Sequence, residues 1–331
     1  MRIAVFSPLR PCRTAVADYS EELLPHLSRH AEVDLFVNGY EPSSQAIRRS
    51  YRVVDCSIAD ASPLLDSYDA IVYQMGNSGF HEYVLRFALR VPGVVVLHDY
   101  SLHGLFAEIT LARGLHPEYI QEMESCHGSD GRRAAEAVIA GVYARLWETA
   151  PLRYPLNRRV LESSQAVVVL SQAVGDLVEA DFPRVVLRRI RPHCESGLTD
   201  TEVTSEALED LRSRYRIGPS STVVSTIGFV TSAQRIPLVL EALAAIAGRH
   251  DVHYLVVGGQ NPHLDLRGQI KELGLEPRVH LTGHLPIQEL VRCIHLSDVC
   301  VQLKEPTCGE VSGSSCRILG VGRPLVVFDT G

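Results

Sequence analysis

Short apolar runs alternate with longer segments of helical spacing along most of the chain. The runs at 2–7, 32–37, 51–54, 70–74 and 94–98 predict strands. Between the first two, Val16, Tyr19, Leu23, Leu24 and Leu27 fall on one helical face over 15–29. A second helix is predicted over 80–89. Strands that alternate with helices argue for a parallel sheet with both faces covered. Residues 101–165 break the rhythm; they are helix-compatible and charged, and predict several helices beside the sheet. Strand, helix, strand then return at 167–170, 173–180 and 185–190.

A Ser/Thr-rich, acidic junction at 193–221 holds one predicted helix over 205–215. The alternation then restarts, with strands at 222–228, 253–257, 278–281 and 299–303 and helices at 236–248, 264–273 and 287–294. The last stretch reads strand, polar turn at 305–310, helix to about Val321 and strand at 325–328. Ser312, Ser314 and Ser315 are the capping candidates, with Gly322 as the stop and Pro324 beyond. Free N–H groups at such a helix start suit phosphate, and an ordinary βαβ turn with capping serines has the same composition. Two α/β halves in 331 residues predict two doubly wound domains facing a cleft, at 1–193 and 222–331, with 194–221 as linker and helix. Ligands of such sheets sit outside the carboxyl ends of the strands. There Gly258-Gly259 and Gly283-His284 end predicted strands. The chain stops directly after a strand, where a doubly wound domain continues, so a truncated or short form is expected.

A net charge of −7 argues against a general nucleic-acid binder. The eight cysteines contain no CxxC pair, so buried thiols in a reducing compartment are expected, with no zinc site. No segment approaches the roughly 18 apolar residues of a membrane span, and the opening MRIAVFSPLRP is too interrupted for a signal peptide. A cytoplasmic protein is expected, with peripheral contact at the inner membrane face left open. SPLRPCRTA lacks the GxGxxG that a dinucleotide-binding oxidoreductase places after its first strand.

SPLRPCRTAVADYSEELLPHL resembles the opening of a bacterial-type branch of the family 4 glycosyltransferases. YQMGNSGFHEYVL, GVVVLHDYSLHGL, YPLNRRVLESSQAVVVLS, GFVTSAQRIPLVLEAL and PTCGEVSGSSCRILGVGRPLVV resemble the same branch in order, from Arg2 to Val327. The resemblance implies a GT-B fold of two Rossmann-like domains, and sugar transfer from a UDP- or GDP-sugar to a glycan or glycolipid acceptor. Configuration is retained, as in a hexosyltransferase of polysaccharide biosynthesis. No cofactor is expected, and no metal.

The family holds the donor diphosphate with an Arg and a Lys after the first strand of the second domain. Phe229 stands at the Arg position here and Gln234 at the Lys position, with Arg235 adjacent as phosphate ligand or surface residue. A lysine restored at 234 is therefore expected to raise donor affinity or turnover. Glu310 best matches the loop carboxylate that touches the donor sugar, with Glu305 as competitor. Ser312, Gly313 and Ser314 are expected to cap the phosphates, and Gly258, Gly283 and His284 to border the donor. Arg317, where the family has its second carboxylate, is either a phosphate or ribose contact or part of a solvated helix face. In the first domain Arg13 and Thr14 precede Ala15, where the family commonly has Gly; a structural turn alone is the competing reading. His98 corresponds to the histidine that contacts the donor sugar, and Asp99 orients it or holds an acceptor hydroxyl. Tyr73, Asn77, His81 and His103 are weaker acceptor-side candidates, while His127 and Trp147 are read as packing or surface. Arg191-Pro192-His193-Cys194 resembles the family hinge without its glycine. With Gln234, Ala15 and the early end, a catalytically weak or inactive homologue acting as a binding or scaffold protein is the alternative.

Overall fold

The computed structural model describes residues 1–58, 62–193, 203–262 and 264–329. The chain forms two compact units. Met1–His193 and Pro306–Val311 make the first; Cys194–Glu305 and Ser312–Thr330 make the second. The segment 306–311, placed by its sequence position in the second domain, thus packs as part of the first unit. Cys194 of the expected hinge lies outside the described residues.

The first unit holds a parallel sheet of seven strands. These are β1 (Arg2–Phe6), β2 (Glu32–Val37), β3 (Arg52–Asp55), β4 (Ala70–Met75), β5 (Val94–Leu97), β6 (Ala166–Val169) and β7 (Leu187–Arg189), in the order β3-β2-β1-β4-β5-β6-β7. Ala4 and Phe6 of β1 enter one core beside Phe36, Tyr73 and Leu97. Ile3 and Val5 enter another beside Leu24 and Leu35. Successive side chains alternate between faces, so a strand buried on both faces must be apolar throughout, as IAVF is. The segment that breaks the strand rhythm is helical, with helices at His103–Ile109, His116–Ile139, Leu146–Thr149 and Arg158–Ser163.

The second unit holds β8 (Thr222–Ile227), β9 (Val252–Val257), β10 (Val279–Gly283), β11 (Val299–Gln302) and β12 (Leu325–Val327), parallel and ordered β10-β9-β8-β11-β12. Tyr254 and Val256 face a core closed by helix Ile236–Ile246. Leu255 and Val257 face one closed by helix Ile287–Leu296. In each unit the order reverses direction beside the first strand, between β1 and β4 and between β8 and β11. Chains leaving such a switch point diverge to opposite faces and leave a crevice at the carboxyl ends. Among the described residues, no helix is long and apolar enough to cross a membrane.

Candidate functional site

In the first unit the loop after β1 is fixed by charge. Glu21, buried in helix Ala15–Leu27, accepts from the Arg10 backbone N–H at 2.8 Å and from its guanidinium at 2.5 and 2.8 Å. Thr14 caps this helix, its hydroxyl oxygen accepting from the Val16 N–H at 3.4 Å. Arg13 and Ala15 beside it are exposed.

His98 follows β5 and is half-buried, with its Nε2 2.7 Å from Oε1 of Gln74 at the end of β4. The edge of the Tyr19 ring meets its imidazole at 4.8 Å between centroids, and His193 stacks on Tyr19 at 4.2 Å. His81 is buried behind Gly76. A Cβ added at Gly76 would lie 2.8 Å from the His81 ring. Burial, with His81 and His193 nearby, pushes the His98 pKa down to about 3, and burial lowers that of His81 to about 4. The Asp99 carboxylate accepts from the Asn77 N–H at 2.9 Å, and the Asn77 side chain accepts from the Leu105 N–H at 2.9 Å.

Glu310, on the segment 306–311, accepts from the Cys308 N–H at 2.7 Å and the Thr307 hydroxyl at 3.2 Å. The Cys308 carbonyl accepts from the Ser101 N–H at 2.9 Å, and Gly309 fits so closely that a Cβ there would lie 2.6 Å from Cβ of Tyr100. The structure thus brings His98, Asp99 and Glu310 into one unit, and brings the loop that carries Glu310 against the loop that follows Asp99.

The weaker candidates divide. Tyr73 is core, its hydroxyl donating to the Val91 carbonyl at 2.9 Å. His103 is sealed inside the helical segment against the Tyr119 hydroxyl at 2.7 Å, with Trp147 at 5.8 Å between ring centroids. His127 packs edge-on against Tyr154.

In the second unit three glycines line up at the carboxyl ends of β8, β9 and β10. Gly228 has φ +114° and Gly258 φ +135°, and Gly258 bridges Gly283. A Cβ at Gly258 would lie 2.1 Å from the Gly228 carbonyl oxygen. One at Gly228 would lie 2.9 Å from Oγ of Ser314. The backbone therefore closes on the first turn of helix Gly313–Gly320, whose N-cap Ser312 accepts from the Ser315 N–H at 3.1 Å. A Cβ at Gly313 would meet open space, and Gly283 and His284 are exposed. Arg317 is 8% exposed, so it does not form a solvated helix face: it lies on the inner side of that helix, next to buried Ile318.

The loop after β8 has two polar side chains in doubt, and their surroundings separate them. Gln234 works inside the loop. Its Oε1 accepts from the Thr231 N–H at 2.8 Å and hydroxyl at 2.7 Å, and its Nε2 donates to the Phe229 carbonyl at 2.9 Å. Arg235 adopts the left-handed conformation (φ +50°) and is exposed, 3.4 Å from Glu305. Arg235 and Glu305 line a pocket of about 460 Å³ with Glu241, Leu238 and Phe328. Glu305 is thus the partner of Arg235 in the second unit, whereas Glu310 belongs to the first.

Sequence reasoning passed over Gln74 and Gly228. Gln74 carries a readable signal, a polar residue inside the two-sided apolar strand AIVYQM. The close approach at Gly228 carries none. Among the described residues no group of three metal-ligating side chains occurs and no cysteine is in a disulfide; Cys56, Cys126 and Cys293 are buried, with thiols pushed up to about 12.

Two parallel-sheet units with crevices at matching strand ends define the GT-B architecture of glycosyltransferases, and residues 221–331 match the family model of the group 1 glycosyl transferases. Solved structures share the fold over the whole chain. A sucrose-phosphate synthase from Thermosynechococcus elongatus is 14% identical with a TM-score of 0.63, covering 100% of this chain and 82% of its own. HepE of Anabaena, solved with UDP and glucose, is 15% identical with a TM-score of 0.64, covering 100% and 81%. A glycosyltransferase from Rickettsia africae is 12% identical with a TM-score of 0.66, covering 100% and 79%. No curated protein sequence matches the chain.

Proposed function

We propose that this protein is a glycosyltransferase that moves a sugar from a nucleoside-diphosphate donor to a hydroxyl of a glycan or glycolipid, retaining configuration and needing no bound metal. The observation that carries the reading is the glycine row Gly228–Gly258–Gly283 closing on the capped helix start at Ser312–Ser314. Side-chain-free backbone beside the positive dipole end of a helix suits a diphosphate. Solved proteins of this fold hold UDP and glucose.

The donor's diphosphate lies at Gly313 and Ser314 in this reading, with Arg235 of the loop after β8 as its cation. Within the first unit, His98 is the group offered to a sugar hydroxyl and Asp99 the one offered to an acceptor hydroxyl. The bond from the anomeric carbon to the phosphate oxygen breaks, the acceptor oxygen bonds to that carbon from the same face, and its proton passes to the leaving phosphate. A histidine with pKa about 3 is the neutral imidazole and not the imidazolium at neutral pH, so His98 positions and does not act as a general acid. The helix dipole and Arg235 stabilise the charge that builds on the diphosphate.

Calorimetric titration with UDP-glucose and GDP-mannose, followed by transfer assays on the donor that binds, tests the reading. Absence of binding by any nucleotide sugar overturns it. Binding without turnover selects the scaffold alternative, to which the engagement of Gln234 within its own loop lends support. Transfer is expected to persist in EDTA. Loss on chelation, restored by Mn²⁺ or Mg²⁺, would refute metal independence.

A further inference from the structure

We propose that Gln74 is a positioning residue: its side-chain carbonyl holds the proton of His98 on Nε2 and so makes Nδ1 a fixed hydrogen-bond acceptor for a ligand hydroxyl. The ligand half of this proposal rests on the glycosyl-transfer reading; the tautomer half does not.

Gln74 pairs with Val96 in the register of β4 and β5. His98 lies two residues beyond Val96 and so projects to the same side of the sheet. The Gln74 side chain is buried in a strand whose other members are Ala, Ile, Val, Tyr and Met. A buried amide is costly unless it is hydrogen-bonded, and its partner is the His98 Nε2 at 2.7 Å. A neutral imidazole has one N–H and one lone pair, and the bond made by one nitrogen sets the role of the other. With the amide oxygen facing Nε2, the proton sits there and Nδ1 accepts. Among the described residues Nδ1 has no hydrogen-bond partner, and it is not sealed from solvent.

The surroundings keep the ring neutral. Tyr19 presents its edge, His193 stacks on Tyr19, and His81 lies behind Gly76. Asp99, the neighbour in sequence, directs a carboxylate oxygen to the Asn77 N–H. A neutral acceptor receives an O–H and repels phosphate or carboxylate. The first unit therefore selects a hydroxyl-bearing group at the end of β5.

Long-range ¹H–¹⁵N correlation spectra of the histidine rings in the intact protein test this, with His98 assigned by the signal lost in His98→Gln. The wild type is expected to show Nε2–H between pH 5 and 8. Gln74→Leu should give a mixture of tautomers, and Gln74→Glu should bring the His98 imidazolium into that pH range. With UDP-glucose or whichever nucleotide sugar binds, Gln74→Leu should lower kcat/KM by about ten- to a hundred-fold, the scale seen where outer partners orient a ligating imidazole. An Nδ1–H tautomer in the wild type overturns the proposal even if Gln74→Leu fails to fold. So does an unchanged tautomer in folded Gln74→Leu. The predicted spectra with no turnover of any nucleotide sugar would uphold the positioning role of Gln74 and defeat the transfer reading.

Discussion

Gln234 stands where the resembling family keeps a lysine, and its amide already serves two donors of Thr231 and one carbonyl of Phe229. A lysine has no acceptor to replace Oε1. The expectation that Gln234→Lys simply restores a charge must therefore be revised. The substitution should cost about 1 kcal/mol of stability for the lost loop bonds, seen as a lower urea midpoint, and any gain in donor affinity is set against a loosened loop. Arg235 is a different case. Its exposed pair with Glu305 contributes little to folding. Arg235→Ala should leave the urea midpoint unchanged and lower transfer by roughly 100-fold, as expected for one charge-stabilising contact. Unchanged transfer would show that the diphosphate is held elsewhere.

At the scale of elements, the regular parts were legible and the joints were not. Among the described strands, those buried on both faces, such as β1 and β6, coincide with apolar runs, because a strand covered on both faces must be apolar throughout; the edge strand β7 is Leu-Arg-Arg and largely exposed. Helix Gln45–Ser50 escaped: of its residues only Ile47 is buried, too little for a periodic signal. The conformation of the loops was hidden as well. That Gly258 touches the Gly228 carbonyl, that Gln234 staples its loop, and that 306–311 packs with the first unit all depend on partners distant in sequence. Two glycines of the second unit separate fold from ligand. Gly258→Ala places a Cβ 2.1 Å from backbone at φ +135°, so it should unfold or strongly destabilise the second unit. Gly313→Ala meets open space at a helix start and should leave Tm within about 2 °C, a shift of about 1 kcal/mol at most. If phosphate approaches that backbone, Gly313→Ala should still weaken nucleotide-sugar binding. Unchanged affinity would move the diphosphate away from Ser312–Ser314.

Taken whole, the molecule buries histidines in both units in a form that resists protonation. In the first unit His81 is held down to about 4 by burial, with its Nδ1 at 3.2 Å from the Ser78 hydroxyl. In the second, His253 and His280 meet ring to ring, Nδ1 to Nε2 at 3.0 Å, and burial beside His253 lowers His280 to about 4. That contact needs one proton between two nitrogens, so charging both rings breaks it. The unfolded chain protonates histidine near pH 6.5, and the folded chain does so only near pH 4 at His81 and His280. Between those values the unfolded state binds more protons. Stability is therefore full above about pH 6.5 and falls as the pH drops toward 4. For His81 alone the loss across that window is about 3 kcal/mol. Urea unfolding at intervals from pH 8 to pH 4 should show the midpoint declining below pH 6.5 for both units. His81→Leu should flatten the decline of the first unit whatever it does to stability at pH 8, because the slope reports only the difference in bound protons. An acid limb that keeps its slope in His81→Leu would mean that His81 accepts its proton as readily in the folded chain as in the unfolded one.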